Sequence, residues 1–445
     1  MNRFVTRSVI RFAAILILMI GAALPVRAEL NIQDVTSPGG IKAWLVEEHS
    51  IPFVTLEIRF KGGTSLDLPG KRGATYMMSG LLEEGAGNLD AAAFSRTREE
   101  LAADFAFSAR ADTVKISAKF LRENQPAALE LLRKAIEAPR FDQVAIDRVR
   151  AQVISIIAAD KKDPNEIASA TFDRLAYGNH PYATPSTGTT ASIDKLTRAD
   201  LVTAYKNAMA KDRLYVSAVG DVTPKELGVM LDELLGGLPD KGSPMPPHAK
   251  ITLTGGVTLV DLPTPQSVAL FGHKGIKRDD PEFFAAFVMN QIFGAGGFTS
   301  RLTKEVREKR GLTYGVYTYL ASYDLAELYM GSVASANDRI AQAIDVIKAE
   351  WAKMAKGGAT AEELDAAKKF LTGAYPLRFD GNGRIASILV NMQLDDLPRS
   401  YIKTRNDKVN AVTLADVAKV AKRLLKPENL RIVVVGQPEG MENIN

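Results

Sequence analysis

The chain contains one helix–strand unit twice. Residues 197–220, TRADLVTAYKNAMAKDRLYVSAVG, align without a gap with residues 413–436, TLADVAKVAKRLLKPENLRIVVVG, at an offset of 216. Each copy starts with a threonine suited to cap a helix, has an acid three residues later and ends in an apolar strand that closes on glycine. Upstream, VAIDRVR (144–150) and EELDAAK (362–368) correspond at an offset of 218. Two nearly equal offsets favour duplication of a whole domain over a chance likeness.

Each half has the order of elements typical of an α/β sandwich. Strand-like segments open both halves, long amphipathic helices follow, and a strand returns at the end. This pattern predicts two homologous domains, each a mainly antiparallel sheet with helices packed on one face. Residues 236–250, GGLPDKGSPMPPHAK, are rich in Gly and Pro and lack periodicity, which indicates an exposed connection. We therefore expect domains at 29–235 and 256–445, joined by a linker at 236–255.

The first 28 residues predict a secretory signal peptide. Three arginines within the first eleven residues precede an apolar run of about 12 residues, and small side chains at Val26 and Ala28 suit cleavage after Ala28. An uncleaved membrane anchor is the alternative, although the run is short for a bilayer span. We expect an exported, periplasmic protein with no membrane span after cleavage.

Composition excludes several classes of function. The chain has 56 Lys and Arg against 52 Asp and Glu, and four of the arginines lie in residues 1–28. Removing those four leaves 52 against 52, so the mature chain has no basic excess that would indicate a nucleic-acid partner. It also has no cysteine, which excludes disulfides, thiolate catalysis and thiolate metal sites.

Several motifs resemble the pitrilysin/insulinase family of zinc peptidases, which includes the mitochondrial processing peptidases and paired bacterial relatives. They include GKRGATYMMSGLLEEG (70–85), YGNHPYATPSTGT (177–189) and GAGGFTSRLTKEVREKRGLTYGV (294–316). Each is weak alone, but together they are specific in order and spacing. In that family the helix after G-K-x-G carries H-x-x-E-H, whose histidines bind Zn²⁺ and whose glutamate activates the metal-bound water. A distant glutamate completes the site.

On this alignment the zinc site has lost its ligands. The motif positions fall on Tyr76, Ser79 and Gly80, and the distant ligand falls at about Ile156. Tyrosine is a poor zinc ligand, serine cannot replace the carboxylate base, and glycine and isoleucine have no donor atom. The resemblance therefore implies a domain without zinc or another cofactor, whose motif helix now serves packing.

No other residues predict a replacement metal site. Glu83 and Glu84 are adjacent, point to different helix faces and are expected in a solvated turn. None of the histidines forms a helical pair with another histidine or with a glutamate, so we expect structural or solvated roles for all of them. These histidines are His49, His180, His248 and His273. His180, in GNHPY, is expected to hold its loop by a hydrogen bond.

A second candidate site lies where a predicted helix ends near Gly311 and a strand begins. Arg307 and Tyr314 flank this junction. From the residues alone, Arg307 is a solvated helix charge and Tyr314 a half-buried strand aromatic. In the family, an Arg and a Tyr at this spacing grip the substrate across the cleft from the zinc, so the resemblance implies a substrate-binding pair. Arg301 is expected to be structural.

In paired members of the family, one subunit supplies the zinc motif and the other supplies the Arg–Tyr pair. The resemblance thus implies a zinc-free, non-catalytic subunit, inactive alone, of a heterodimeric peptidase that encloses a peptide substrate. Its sister subunit would carry the zinc. Two alternatives stay open. One is a scaffold subunit without a peptidase role, like the core subunits of respiratory complexes that share this fold, and the other is a chaperone-like homodimer that binds peptides without cutting them.

Overall fold

The chain folds around two large sheets, one in each half. The computed structural model describes residues 30–441, so the predicted signal peptide and its cleavage site lie outside the described residues. The strands of the first half are Gln33–Thr36 (β1), Lys42–Glu47 (β2), Phe53–Lys61 (β3), Gly85–Ala86 (β4), Leu89–Asp90 (β5), Asp104–Ala109 (β6), Thr113–Leu121 (β7) and Leu214–Gly220 (β8). Those of the second half are Gly256–Asp261 (β9), Gln266–Lys274 (β10), Gly315–Tyr323 (β11), Ala326–Ala336 (β12) and Arg431–Gly436 (β13).

The helices alternate with these strands. The first half contains Ala74–Leu81 (α1), Ala91–Glu100 (α2), Gln125–Glu137 (α3), Gln143–Asp160 (α4), Pro164–Tyr177 (α5), Thr190–Ile193 (α6), Arg198–Ala208 (α7) and Pro224–Leu235 (α8). The second half contains Phe283–Asn290 (α9), Ile340–Gly357 (α10), Ala361–Ala374 (α11), Asn382–Leu394 (α12), Tyr401–Ala411 (α13) and Leu414–Leu424 (α14). None of the helices in this part of the chain is long and apolar enough to cross a bilayer.

The two sheets have the same strand order. The first runs β1-β2-β8-β3-β7-β6 and the second β9-β13-β10-β12-β11, so the second sheet repeats the first without its β1 strand. In both, a single parallel pair, β2 with β8 and β9 with β13, interrupts an otherwise antiparallel ladder. The fold class predicted from the repeat is confirmed. The exact domain boundaries at 29–235 and 256–445 stay predictions.

Local capping explains why the repeated helices begin where they do. Thr197 and Asp200 form a reciprocal capping box at the start of α7, and Thr413 and Asp416 form the same box at the start of α14. In each box the threonine side chain accepts from the acid's backbone N–H, while the carboxylate accepts from the threonine N–H. Both helices then lead into a buried strand, as the aligned sequences predict.

Apart from one helix in each half, each sheet carries helices of its own half on one face. On β3 the inward side chains Val54, Leu56, Ile58 and Phe60 are fully buried in this core. The outward side chains of β3 are polar, and Glu57 and Arg59 form an ion pair of 2.7 Å beneath a covering helix. Both members of that pair are buried, which shows that the outer face is not open to solvent either.

One helix from each half covers the outer sheet face of the other half. Helix α5, from the first half, packs on β10 and β13, where Phe172 joins a cluster with Leu270 and Val433. Helix α12, from the second half, packs on β3 and β8, and Leu389 joins a cluster with Val219. The segment 236–250 connects the halves without a helix or strand.

Candidate functional site

The four positions aligned with the zinc site lie on two helices that pack together. Tyr76, Ser79 and Gly80 are on α1 and Ile156 is on α4. The buried Ser79 hydroxyl donates to the Tyr76 carbonyl at 2.8 Å, and a Cβ at Gly80 would lie 3.7 Å from Val149 of α4. Within residues 30–441, no group of three or more His, Cys, Asp or Glu side chains is placed to hold a metal ion. The helical frame of the site is present without its donors.

Helix α1 keeps its position through packing and a buried carboxylate. Met77 and Met78 are fully buried, as expected for a motif helix that serves the core. Asp67 accepts hydrogen bonds from the N–H groups of Gly73 and Thr75 at 2.8 and 2.9 Å, which satisfies donors at the helix start. Gly73 has φ +89°, and a Cβ there would lie 2.7 Å from the Thr187 carbonyl oxygen, so the approach to α1 requires glycine.

A cavity of about 550 Å³ opens beside Tyr76. Acids of α4 and α5 line it, and the sequence reasoning missed them. These acids are Asp160, Glu166 and Asp173. Glu166 and Asp173 are seven residues apart, the spacing of one helix face, which is the only signal in the sequence that could have found them. The buried hydroxyl of Tyr177, on the same wall, has no hydrogen-bond partner among residues 30–441.

The acids of this cavity are poorly compensated. Burial, with a smaller contribution from the nearby Glu166, raises the pKa of Asp173 to about 7. Burial also raises the pKa of Glu166, with smaller contributions from Asp160 and Asp163. Arg72 lines the same cavity, but its guanidinium donates to backbone carbonyls, including that of Thr64 at 2.8 Å. The Asp173 carboxyl is therefore partly protonated near neutral pH.

The substitution Asp173→Asn is expected to stabilise the chain at pH 8 but not at pH 4. Because the folded-state pKa lies above the ordinary 3.8, the folded state binds this proton more tightly, and the free energy of unfolding falls as pH rises from about 4 to 7. Asparagine does not titrate, so the variant avoids this fall in the free energy of unfolding, which is on the order of 1–3 kcal/mol at pH 8. Thermal melts across pH 4–8 measure it, with Asp104→Asn on the exposed edge of β6 as control. A gain of equal size at both pH values would contradict this account.

Arg307 and Tyr314 flank the helix-to-strand junction, as predicted. Arg307 lies in a π-helical turn, Thr303–Glu308, rather than in regular α-helix, and its guanidinium stacks 4.7 Å from the ring centre of Phe298. Gly311 follows with φ +62°, the left-handed conformation that ends a helix. Tyr314 is 86% exposed, not half-buried as the residues alone suggest, and its hydroxyl makes no hydrogen bond within the described chain.

The strand that follows Tyr314 separates it from the cavity beside Tyr76. Tyr323, the last residue of β11, lines that cavity. Tyr314 precedes Tyr323 by nine residues, which in an extended strand corresponds to roughly 30 Å. Tyr314 therefore lies well away from the part of the cavity that Tyr323 lines.

Arg301, His180 and the two acids after α1 each contact another part of the chain. Arg301 makes a two-pronged ion pair with Glu363 at 2.6 and 3.0 Å, which confirms its expected role. His180 accepts from the Tyr182 N–H at 3.2 Å through Nδ1, and its Nε2 donates to the Pro247 carbonyl at 3.0 Å, so it holds its loop as predicted. Glu83 and Glu84, which follow the end of α1, each form an ion pair with an arginine from another segment.

Comparison with known proteins shows which family shares this sequence and fold. A model of the insulinase family (peptidase family M16) matches residues 42–190, and a model of the peptidase M16 inactive domain matches residues 195–371. A solved structure of a peptidase M16 inactive domain from Pseudomonas fluorescens has a TM-score of 0.86 and 28% identity, covering 94% of this chain and 100% of that chain.

Curated relatives of similar length extend the comparison. A protein of Helicobacter pylori named "Non-peptidase homolog YmxG" is 24% identical, covering 94% of this chain and 97% of its own length. A protein of Streptomyces coelicolor named as an uncharacterized zinc protease is 25% identical, covering 89% of this chain and 87% of its own length. The chain belongs to the insulinase, or M16, peptidase family, as an inactive pitrilysin-like member whose zinc-site positions carry no metal ligands.

Proposed function

We propose that this chain is the zinc-free subunit of an exported, periplasmic heterodimeric peptidase, in which Arg307 and Tyr314 bind the peptide that a sister subunit cleaves at its zinc. The separation of the pair from the cavity beside Tyr76 carries the proposal. Tyr314 lies roughly 30 Å along a strand from Tyr323 at the cavity wall, which leaves the pair free to bind a substrate held by another chain.

The chemistry of the two side chains suits this role. A guanidinium offers a rigid fork of donors to a peptide carbonyl. A phenol can donate to the oxyanion of the tetrahedral intermediate in peptide hydrolysis. Tyr314 is free to do so, because its exposed hydroxyl has no partner in the described part of the chain.

Exposed aromatic side chains near the pair support a covering partner. Phe298 is 66% exposed beneath Arg307, and Tyr317, on the edge strand β11, stacks its ring on Tyr319 at 6.2 Å. Large exposed aromatics are typical of surfaces that another chain or a peptide covers. Because β11 is a sheet edge, its backbone can also hydrogen-bond to an extended segment.

Mixing is expected to produce the activity that each chain lacks. Alone, the purified chain should hydrolyse no peptide, and addition of a zinc-bearing family member from the same source should raise hydrolysis from near zero. Peptidase assays at varied molar ratio, with gel filtration to detect the complex, measure this. If the complex forms and the zinc-bearing chain is no more active within it than alone, the chain is a scaffold.

A peptide-binding protein that does not cut is the second candidate. The cavity beside Tyr76 favours it, because its tyrosines and uncompensated acids form a binding surface on this chain that needs no partner. Peptide binding by the isolated chain, measured by calorimetry and lost in a Glu166→Gln variant, would support this candidate.

A further inference from the structure

A second pocket lies in the other half of the chain. Arginines line it, whereas acids line the cavity beside Tyr76. The second pocket has a volume of about 230 Å³ and lies where α9, α12 and α13 meet. Ile388, Met392 and Leu397 give it an apolar wall. Three arginines also line it, from three separate segments of the chain: Arg278, Arg378 and Arg405.

Arg405 is buried and has no carboxylate partner in the part of the chain that the structure describes. It is only 5% exposed, and it donates to the Leu371 carbonyl at 2.7 Å and to the Asn406 side-chain oxygen at 2.9 Å. Its guanidinium stacks 4.6 Å from the ring centre of Tyr375 and 5.3 Å from that of Phe287. Neutral acceptors and rings only partly replace the water that a buried cation loses, and burial lowers the pKa of Arg405.

The other two arginines leave the pocket with a positive excess. Arg278 donates to the Tyr401 hydroxyl at 2.7 Å and lies 4.0 Å from the Asp395 carboxylate, the one acid on the pocket wall. Arg378 has no ion pair or side-chain hydrogen bond within the described residues, and it lies at the exposed rim. The neighbouring acids outside the pocket, Asp280 and Glu282, pair instead with Lys419 and Arg423.

The first half of the chain has an acid at the position that corresponds to one of these arginines. Helices α4 and α11 begin at 143 and 361, and α5 and α12 at 164 and 382, an offset of 218 in both cases. At this offset Asp160, in the cavity beside Tyr76, corresponds to Arg378, and Asp173 corresponds to Asn391 on the wall of the second pocket. Because the corresponding place in the first half holds Asp160, the fold does not require an arginine at position 378.

We propose that this arginine pocket binds a carboxylate or phosphate group carried on an aromatic or branched apolar body. The arginine forks of Arg378 and Arg405 would take the anion, since guanidinium matches both groups with paired hydrogen bonds. The apolar wall and the rings of Phe287 and Tyr375 would hold the body. The volume lies below the roughly 300–1,000 Å³ of drug-sized sites, which limits the ligand to a fragment or to the end of a larger chain.

Calorimetric titration of the purified chain tests this with four probes. N-acetylphenylalanine represents a peptide C-terminus, phenyl phosphate and inorganic phosphate represent phosphate ligands, and N-acetylphenylalanine amide is the uncharged match. We expect one of the two aromatic anions to bind with a dissociation constant below about 1 mM, at least about tenfold tighter than the amide and weakening with salt. The tighter of the two identifies the anionic group.

Variants decide whether the pocket is responsible. Arg378→Gln, at the exposed rim, and Arg405→Lys, which keeps the charge but loses the fork, should each weaken binding at least about fivefold. Arg384→Gln, on the same helix α12 but outside the pocket, should not change it. Circular dichroism checks that all variants fold. Absence of binding by both aromatic anions, tighter binding of inorganic phosphate than of either, or binding unchanged in both Arg378→Gln and Arg405→Lys, would overturn the proposal.

Discussion

Replacing Tyr314 with phenylalanine, in a complex of this chain with its zinc-bearing sister, is expected to lower kcat by about 10²–10³. The substitution removes one hydroxyl and keeps the ring, and this hydroxyl has no partner in the described chain. A donor to an oxyanion acts mainly in the transition state, so kcat and kcat/KM should fall together while KM changes little. Steady-state kinetics of complexes mutated on this chain alone measure the effect.

Two further variants make that result specific. Tyr317→Phe, which removes a hydroxyl from a neighbouring exposed tyrosine on β11, should leave kcat unchanged. Arg307→Ala should act more on KM, because a hydrogen bond to a substrate carbonyl stabilises the ground state and the transition state alike. Wild-type kinetics in Tyr314→Phe, with the complex intact by gel filtration, would exclude the oxyanion role and favour a scaffold.

Restoring the three lost ligands and the catalytic glutamate is expected to give a chain that binds zinc. The variant carries Tyr76→His, Ser79→Glu, Gly80→His and Ile156→Glu. Positions 76 and 80 are four apart on α1 and share a face, α4 packs beside them, and a first side-chain atom at Gly80 meets only an ordinary contact of 3.7 Å. We expect about one zinc per chain in the variant and no stoichiometric zinc in the parent.

Elemental analysis after dialysis measures the zinc content. The same variant with Ile156 retained is the matched control, and it should hold zinc more weakly because the third protein ligand is missing. Because Ser79 is buried, circular dichroism must show that the glutamate is tolerated. A folded variant without zinc would show that the frame of the site, and not only its donors, has been lost.

The sequence predicts those parts of the molecule that depend on neighbours along the chain. The capping boxes of Thr197 and Thr413 each join two residues three apart, so the pattern alone locates both helix starts. Duplication predicts that the two sheets share one strand order, because two copies of one sequence pattern repeat one topology. The position of Arg307 and Tyr314 at a helix–strand junction is local too, although the π-helical turn around Arg307 leaves no signal in the sequence.

Contacts between distant segments are what the sequence could not predict. Glu57 and Arg59 alternate with apolar residues on β3 as solvent-facing side chains do, yet α12, more than 300 residues away, buries them. The arginine pocket likewise draws on positions 278, 378 and 405, none of which forms a motif with another. Such sites depend on tertiary packing, which places side chains together without any spacing rule.

The reciprocal cover of the sheets by α5 and α12 has a consequence for how the chain holds together. It is the arrangement of a domain-swapped dimer whose two subunits have become one polypeptide. Neither half can detach without exposing the outer faces of both sheets, each of which buries a cluster of apolar side chains. Unfolding is therefore coupled across the halves. The segment between them keeps the halves close during folding, whereas the buried sheet faces determine how strongly they associate.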